Sequence, residues 1–376
     1  MEAIAPLFPE TYEISRQRFK ENLNRIREYW PQAELSQKRL SFDENLTIDW
    51  IYTDGRKANK KVVMLTTGEH GIEGYVGSAM LQRFIDVHLQ KLDPENTGLM
   101  LVHAINPWGM KHRRRVNHNN VDLNRNFVYD GEYHPSYNPG YERVSELLNP
   151  NRAIHHLRIN KLRFHLDLVK LFLRQGINNF HSASLMGQYR HPKGMYYGGK
   201  DIQEETRTLI HLYRQVFSAY DQIIHLDMHT GYGPRYQMSI VNSALEKRSS
   251  HEFVEKYDYP LIVAANPEEF YAIRGDMIDF VYTLWQHEFS QKRMYSTSFE
   301  FGTLGNSYFG KVHCPVAMVL ENELYWHGAT NVRIETEVSH EFEELFNPQA
   351  IRWREKAIAD ADRAFFGILK AEGYIR

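Results

Sequence analysis

The sequence predicts an α/β fold with a mixed, mostly parallel central sheet and helices on both faces. Three observations carry this expectation. Short apolar runs of strand length recur along the chain. A helical stretch separates two of the first three, the strand–helix–strand rhythm of parallel pairing. Helical segments lie between later runs too, so the sheet is expected to be covered on both sides.

Taken in order, residues 11–30 have helical spacing, with Tyr12, Phe19, Leu23 and Ile26 on one side. Thr47–Tyr52, Val62–Thr67 and Leu99–Ala104 read as strands. Gly74–Leu89 reads as the helix between the second and third. The middle, about 130–200, differs in texture. Turn-rich Tyr133–Gly140 leads into Tyr141–Leu148, then a strongly amphipathic basic helix near Ile154–Leu173, then a loop rich in Gly and Tyr over Met186–Gly199. The basic helix reads as a solvated face over a packed stripe, or else as a lid or subunit contact. Strand-like runs resume at Gln222–Met228, Tyr236–Val241, Leu261–Ala265, Tyr295–Phe301 and Ala317–Leu320, and a long helix over Pro348–Glu372 ends the chain.

Composition narrows the class. At 376 residues the chain is well above the ~150 residues of an average domain, which leaves one large domain or two smaller ones open. With 42% hydrophobic and 24% charged residues, a disordered or collagen-like chain is excluded. The net charge of −2 points toward neither nucleic acid nor membrane as a partner. A single cysteine, Cys314, excludes an internal disulfide and a Cys-rich zinc finger. Met1–Pro6 lacks the basic and apolar regions of a secretory signal, and no apolar run approaches the ~20 residues of a membrane span. The expected location is cytoplasmic.

Four segments carry chemistry. Gly68-Glu69-His70-Gly71-Ile72-Glu73-Gly74 follows a strand and opens a helix, the place where doubly wound sheets bind ligands. His70 and Glu73, three apart on a tight turn, can converge on one ion. His225-Leu226-Asp227-Met228-His229-Thr230-Gly231 ends another strand, and alternation puts His225, Asp227 and His229 on one face. His229 is the natural third ligand, and two histidines with one glutamate leave a position for water, as in catalytic zinc sites. Asp227 and His225 read either as orienting partners or as ordinary buried polar groups. The third segment runs from Asn106-Pro107-Trp108-Gly109 through Arg113-Arg114-Arg115 to Asp122-Leu123-Asn124-Arg125-Asn126-Phe127. Asn124-Arg125 lies between apolar Leu123 and Phe127, and an arginine held there can make a two-pronged contact with a carboxylate. In the fourth, Thr297–Thr303, Glu300 stands between Phe299 and Phe301 at a strand end. Unpaired burial there is costly, whereas facing a metal-bound water it would serve as general base.

Together these segments resemble the zinc carboxypeptidase family, including its aspartoacylase and succinylglutamate desuccinylase relatives. The order H-x-x-E, arginine, N-R, lone His and late Glu runs over roughly residues 60–325. HGIEG, NP-x-G, VDLNRNF, DMHTG and FEFGT, with Asn138–Tyr141, Gly187–Gly194 and Tyr197–Gly199, look typical of an uncharacterised carboxypeptidase-like branch. The resemblance implies one domain over 1–376, with 130–200 a helical and loop insertion beside the pocket. It implies Zn2+ on His70, Glu73 and His229, and Glu300 as general base. It implies Arg115 (Arg114 if the register slips by one) at the scissile carbonyl, and Asn124 with Arg125 on a substrate carboxylate. Less directly, Tyr271–Phe280 resembles the segment of the mobile tyrosine, making Tyr271 a substrate contact, Arg274 a second carboxylate contact and Ile278 part of an apolar specificity pocket.

The reaction class is therefore better fixed than the substrate. A zinc hydrolase cleaving an amide bond near a free carboxylate is expected, with carboxypeptidase action on small peptides first. Deacylation of an N-acyl amino acid is the alternative, and the HGIEG motif leans that way. A non-catalytic binding protein on the same fold would be expected to lose a ligand or the base, and both are present. A serine hydrolase lacks its G-x-S-x-G elbow, and Cys314, before Pro315, reads as a core thiol.

Overall fold

The computed structural model describes residues 7–175, 183, 185–265, 273–305 and 308–375. An eight-stranded mixed sheet forms the centre. Its strands are β1 (Glu34–Leu40), β2 (Asp43–Thr53), β3 (Lys61–Thr67), β4 (Thr97–His103), β5 (Gln222–Gly231), β6 (Met238–Ser243), β7 (Ile262–Ala265) and β8 (Arg293–Gly302), in spatial order β1-β2-β4-β3-β5-β8-β6-β7. The four pairings β4–β3, β3–β5, β5–β8 and β6–β7 are parallel; β1–β2, β2–β4 and β8–β6 are antiparallel.

The helices are α1 (Tyr12–Arg27), α2 (Gly74–Val87), α3 (Pro107–Lys111), α4 (Ser145–Leu148), α5 (Leu157–Gln175), α6 (Glu204–Ala219), α7 (Ser250–Tyr257), α8 (Met277–Glu288), α9 (Tyr308–His327), α10 (Val332–Phe346) and α11 (Ile351–Ala371). Strand alternation sorts the core into two layers. Val63 and Leu65 of β3 point to one face, where α2, α7 and α11 pack through Val76, Phe84, Phe253, Phe365 and Ile368. Val62 and Met64 point to the other, under Leu209, Leu212 and Phe217 of α6 and Phe280 and Leu284 of α8. Burial on both faces is why β3, β4 and β5 read as continuous apolar runs. Among the described residues no helix is long and apolar enough to cross a membrane.

A third apolar cluster joins the middle segment to α9 and α10. Tyr141, Leu148, Leu157, Phe164 and Leu168 pack with Val316–Leu320 and with Val338, Phe342 and Phe346. Here one expectation is corrected: Ala317–Leu320 is not a strand but part of α9. A four-residue apolar run fits a buried helix as well as a strand; here it lies inside a 20-residue helix packed against α5 and α10. Pro315 sits in the second turn of that helix without ending it. Several elements lie outside the sequence expectations, α3, α7, α8 and α10 among them. β1 is an exposed edge strand too polar to register as apolar, and α6 has its apolar positions at helical spacing.

The sheet places the candidate site. β3, β5 and β8 are adjacent and parallel, so their carboxyl ends lie side by side. In the β5–β8 register His229 stands opposite Glu300.

Candidate metal centre

His70 and Glu73 leave the end of β3 on a turn that starts at Gly68, whose φ of +69° suits glycine. The chain then winds as a 3₁₀ turn over Gly71–Glu73 before α2. That winding sets His70 Nδ1 2.9 Å from Glu73 Oε1. The turn is tied down by main-chain bonds: Gly71 N–H donates to Arg115 O at 3.1 Å and Ile72 N–H to Arg114 O at 2.9 Å. β5 delivers His229, whose Nδ1 lies 3.0 Å from Glu73 Oε2, and Thr230 N–H donates to the same oxygen at 2.9 Å. All three side chains are buried, with one donor atom from each inside a 4.8 Å circle.

A carboxylate stands behind each imidazole. Asp122 Oδ1 is 3.1 Å from His70 Nε2, and Asp227 Oδ2 is 2.5 Å from His229 Nε2. These contacts hold each ring at Nε2 and turn its Nδ1 toward Glu73. Asp227 also accepts from Thr66, which in turn contacts His225, so His225 belongs to the buried network beneath the site. Arg115 closes the ring, with Nη1 3.1 Å from Glu73 Oε1 and Nη2 3.3 Å from Asp122 Oδ2. Burial alone would raise the Asp122 pKa, but Arg115, Arg125 and His70 hold it well below the usual carboxylate range. Burial likewise works against Glu73, yet His70 and His229 hold its pKa far down. For His229 burial disfavours the proton, but Asp227, Glu69 and Glu73 outweigh it and raise the pKa.

These residues fit a zinc ion. His70 Nδ1 is buried and makes no hydrogen bond, an unpartnered ring nitrogen of the kind that binds a metal. The donor set of two imidazoles and one carboxylate is that of a catalytic zinc. Glu69, Asp227 and His229 form a second close group. It gathers round the other ring nitrogen of His229 and does not line the cavity. Glu69 is wholly buried, and burial pushes its carboxyl up to about 7 against the pull of His229 and His70.

A cavity of about 100 Å³ opens over the first group. Glu300 lines it together with His70, Glu73, His229 and Arg115. Burial first, then the charge of Glu73, push the Glu300 carboxyl up to about 7, and Tyr232 N–H donates to it at 2.9 Å. Arg114 turns elsewhere. Its guanidinium bonds Glu321 and Asn322 and stacks 3.7 Å over the Tyr325 ring. The structure thus brings Arg115, and not Arg114, to the cavity.

Asn124 and Arg125 also line the cavity, on the 3₁₀ turn Leu123–Arg125, and both are held by the protein itself. Asn124 Nδ2 donates to Asp276 Oδ2 at 3.1 Å and its Oδ1 accepts from Met277 N–H at 2.9 Å. Arg125 donates to Leu185 O and Asn124 O and lies 3.9 Å from Asp122. Ile278 is buried at the cavity wall beside Ser243 and Asp276. Tyr271 lies outside the described residues. Arg274 packs over Tyr137 and pairs with Asp130 at 3.4 Å, and it does not line the cavity. Cys314 faces the cavity, with burial pushing its thiol up to about 12, so it is not a thiolate nucleophile.

Sequence reasoning gave no role to Asp122, to Glu69, or to Ser243 at the cavity wall and its partner Asp279. Asp122 sits inside the VDLNRNF motif, but only the fold brings it to His70. Ser243 donates to Asp279 across β6 and α8, a pairing that no local spacing announces.

No curated protein matches the chain significantly. Among solved structures it is similar to bovine thrombin-activatable fibrinolysis inhibitor in complex with tick carboxypeptidase inhibitor, at 13% identity and a TM-score of 0.46, covering 85% of this chain and 97% of that one. Carboxypeptidase A from Helicoverpa armigera matches at 13% identity and a TM-score of 0.45, covering 86% and 72%. A succinylglutamate desuccinylase from Silicibacter matches at 14% identity and a TM-score of 0.38, covering 79% and 67%. A family described as "protein of unknown function (DUF2817)" matches residues 8–360, and the chain belongs to that family.

Proposed function

We propose that the protein is a zinc-dependent hydrolase that cleaves an amide bond near a free carboxylate, acting first of all as a carboxypeptidase on small peptides. One observation carries the reading. Two histidines, each held at Nε2 by a buried carboxylate, turn Nδ1 toward one glutamate at the mouth of a cavity that also holds Glu300 and Arg115. Orphan burial of so many ionisable groups is expensive without a function.

His70, Glu73 and His229 would hold the ion. When bound, zinc polarises a carbonyl and lowers the pKa of water toward ~7. Glu300, with a carboxyl already poised near neutrality, takes a proton from the attacking water and returns it to the leaving amine. Arg115 places a cation beside the carbonyl oxygen as negative charge develops there. Asn124 and Arg125 would meet the substrate carboxylate at the cavity wall, exchanging contacts with Asp276 and Leu185 for contacts with substrate. Tyr271 is proposed as a further substrate contact.

Deacylation of an N-acyl amino acid is the second reading. The cavity favours it in one respect, since about 100 Å³ suits a small substrate. The test is a mass-spectrometric panel on zinc-loaded protein, with short peptides free or blocked at the C-terminus beside N-acyl amino acids. Loss of one C-terminal residue from free-carboxylate peptides alone is the expected result. Cleavage of acyl amino acids alone would favour deacylation. Glu300→Gln should bind zinc normally and turn over about 10²–10⁴-fold more slowly. Undiminished turnover in that variant would overturn the mechanism.

A further inference from the structure

Helix α5 is apolar on two opposite sides. One side is built into the protein: Leu157, Phe164 and Leu168 are buried against α9 and its neighbours. The other faces solvent. Ile159, Leu162, Leu166, Val169 and Leu173 follow one another at intervals of three and four and are between 45% and 84% exposed. That spacing makes a straight seam along the helix, about 21 Å long at 1.5 Å per residue. Among the described residues no packing covers this second seam.

The charges beside the seam are mostly basic. At 100° per residue, Arg158 falls on one flank and Arg163, Lys170 and Arg174 on the other, with Asp167 behind them. The helix carries five Lys or Arg against a single acid, Asp167, in a chain whose net charge is −2. Lys161 turns inward to pair with Glu341 of α10, and Lys170 pairs with Asp167 three residues back. Arg158, Arg163 and Arg174 are exposed.

We propose that this face of α5 docks on an anionic membrane surface. The seam would sink its Leu, Ile and Val side chains to the acyl boundary, and the flanking cations would reach outward to the headgroups along their own aliphatic stems. A second copy of the chain fits poorly. Self-pairing of α5, parallel or antiparallel, sets cationic flank against cationic flank. A specific protein partner is also less well matched. The seam has no aromatic anchor and no polar residue to fix a register, whereas like-sign cations around uniform aliphatic side chains suit a fluid anionic surface.

The experiment is co-sedimentation of the full chain with vesicles of phosphatidylcholine alone or of phosphatidylcholine with 30 mole per cent phosphatidylglycerol. At least tenfold more protein is expected to pellet with the anionic vesicles. That excess should vanish at 1 M salt, where the screening length falls to about 3 Å. It should also fall at least tenfold in the triple variant Leu162→Gln, Leu166→Gln, Leu173→Gln. All three positions are exposed, so circular dichroism and thermal unfolding should match the parent. Arg158→Gln with Arg163→Gln and Arg174→Gln is a second, independent variant with the same expected loss. Failure to pellet with anionic vesicles, or equal pelleting by parent and variants, would overturn the proposal. So would concentration-dependent dimerisation abolished by the Leu→Gln changes, which would assign the seam to a second copy. Binding to an acidic amphipathic peptide but to no vesicle would assign it to a protein partner and would equally overturn it.

Discussion

The backbone of Gly71 lies directly against that of Gly109. A Cβ placed on Gly71 would stand 2.1 Å from the Gly109 carbonyl carbon and 2.2 Å from Met110 N. The contact requires glycine at 71; at 109 a Cβ would meet Asn106 Nδ2 at 2.5 Å and Val116 O at 2.7 Å instead. It presses the ligand turn onto the arginine-bearing loop, where Gly71 and Ile72 also make their main-chain bonds. Gly71→Ala must push these backbones apart. The expected result is a loss of about 1–3 kcal/mol or more in stability, read by urea unfolding, together with weaker zinc binding read by chelator competition. Unchanged values of both would show that the loop gives way freely.

Asp122 and Asp227 are expected to act on the ion through the histidines they hold. Asp122→Asn or Asp227→Asn keeps the shape but replaces an acceptor with a group that can turn its amide to the ring. Zinc affinity should fall about 10–100-fold in each. Affinity equal to the parent in either variant would mean that the carboxylate does not set the ring.

Zinc should stabilise the fold. At a free zinc concentration 100 times its Kd, the gain is about 2.7 kcal/mol, visible as a higher Tm by calorimetry. His229→Ala should abolish the zinc-dependent part of that Tm while leaving the metal-free fold in place. A zinc shift that survives the substitution would place the ion elsewhere.

Two neighbouring arginines should separate by readout. Arg115→Ala is expected to lower kcat about 10²–10³-fold in whatever remains folded, and also to cost stability, because it leaves buried Glu73 and Asp122 without their cation. Arg114→Ala leaves Glu321 and Asn322 without their buried cation and should cost about 3–5 kcal/mol in stability. The kcat of whatever remains folded should be near the parent's. The reverse pattern would shift the functional register by one residue.

Glu205 supplies a pH test remote from the metal. It is wholly buried at the start of α6, and burial pushes its carboxyl up to about 7 despite donation from Asn117. Because the folded pKa is raised, its contribution to stability is fully present below about pH 4.5 and is lost as pH rises through 7. A shift of this size corresponds to roughly 3 kcal/mol. Glu205→Gln should flatten the stability profile between pH 4.5 and 7, measured by urea unfolding at several pH values. A profile parallel to the parent's would show that Glu205 titrates normally.

The sequence by itself determined where the strands buried on both faces lie, though not the polar edge strand β1, and it placed the proposed ligand residues at strand ends. Val62–Thr67 and Gln222–Met228 are apolar runs because their strands are covered on both faces, so they were legible without a fold. His70, Glu73, His229 and Glu300 were legible because each sits where such a strand ends, and strand ends are where a parallel sheet presents its side chains. Tertiary structure decided the rest. Ala317–Leu320 lies inside α9, packed against α5 and α10, and its apolar run alone does not dictate backbone form. Arg115 was separated from Arg114 by side-chain partners, Glu73 and Asp122 for one and Glu321 and Asn322 for the other. Asp122 reached His70, Asp276 reached Asn124 and Ser243 reached Asp279 across gaps of 52, 152 and 36 residues. A local pattern records what a segment buries. It does not record which distant segment supplies the hydrogen-bond partner, because that is set by strand order and register.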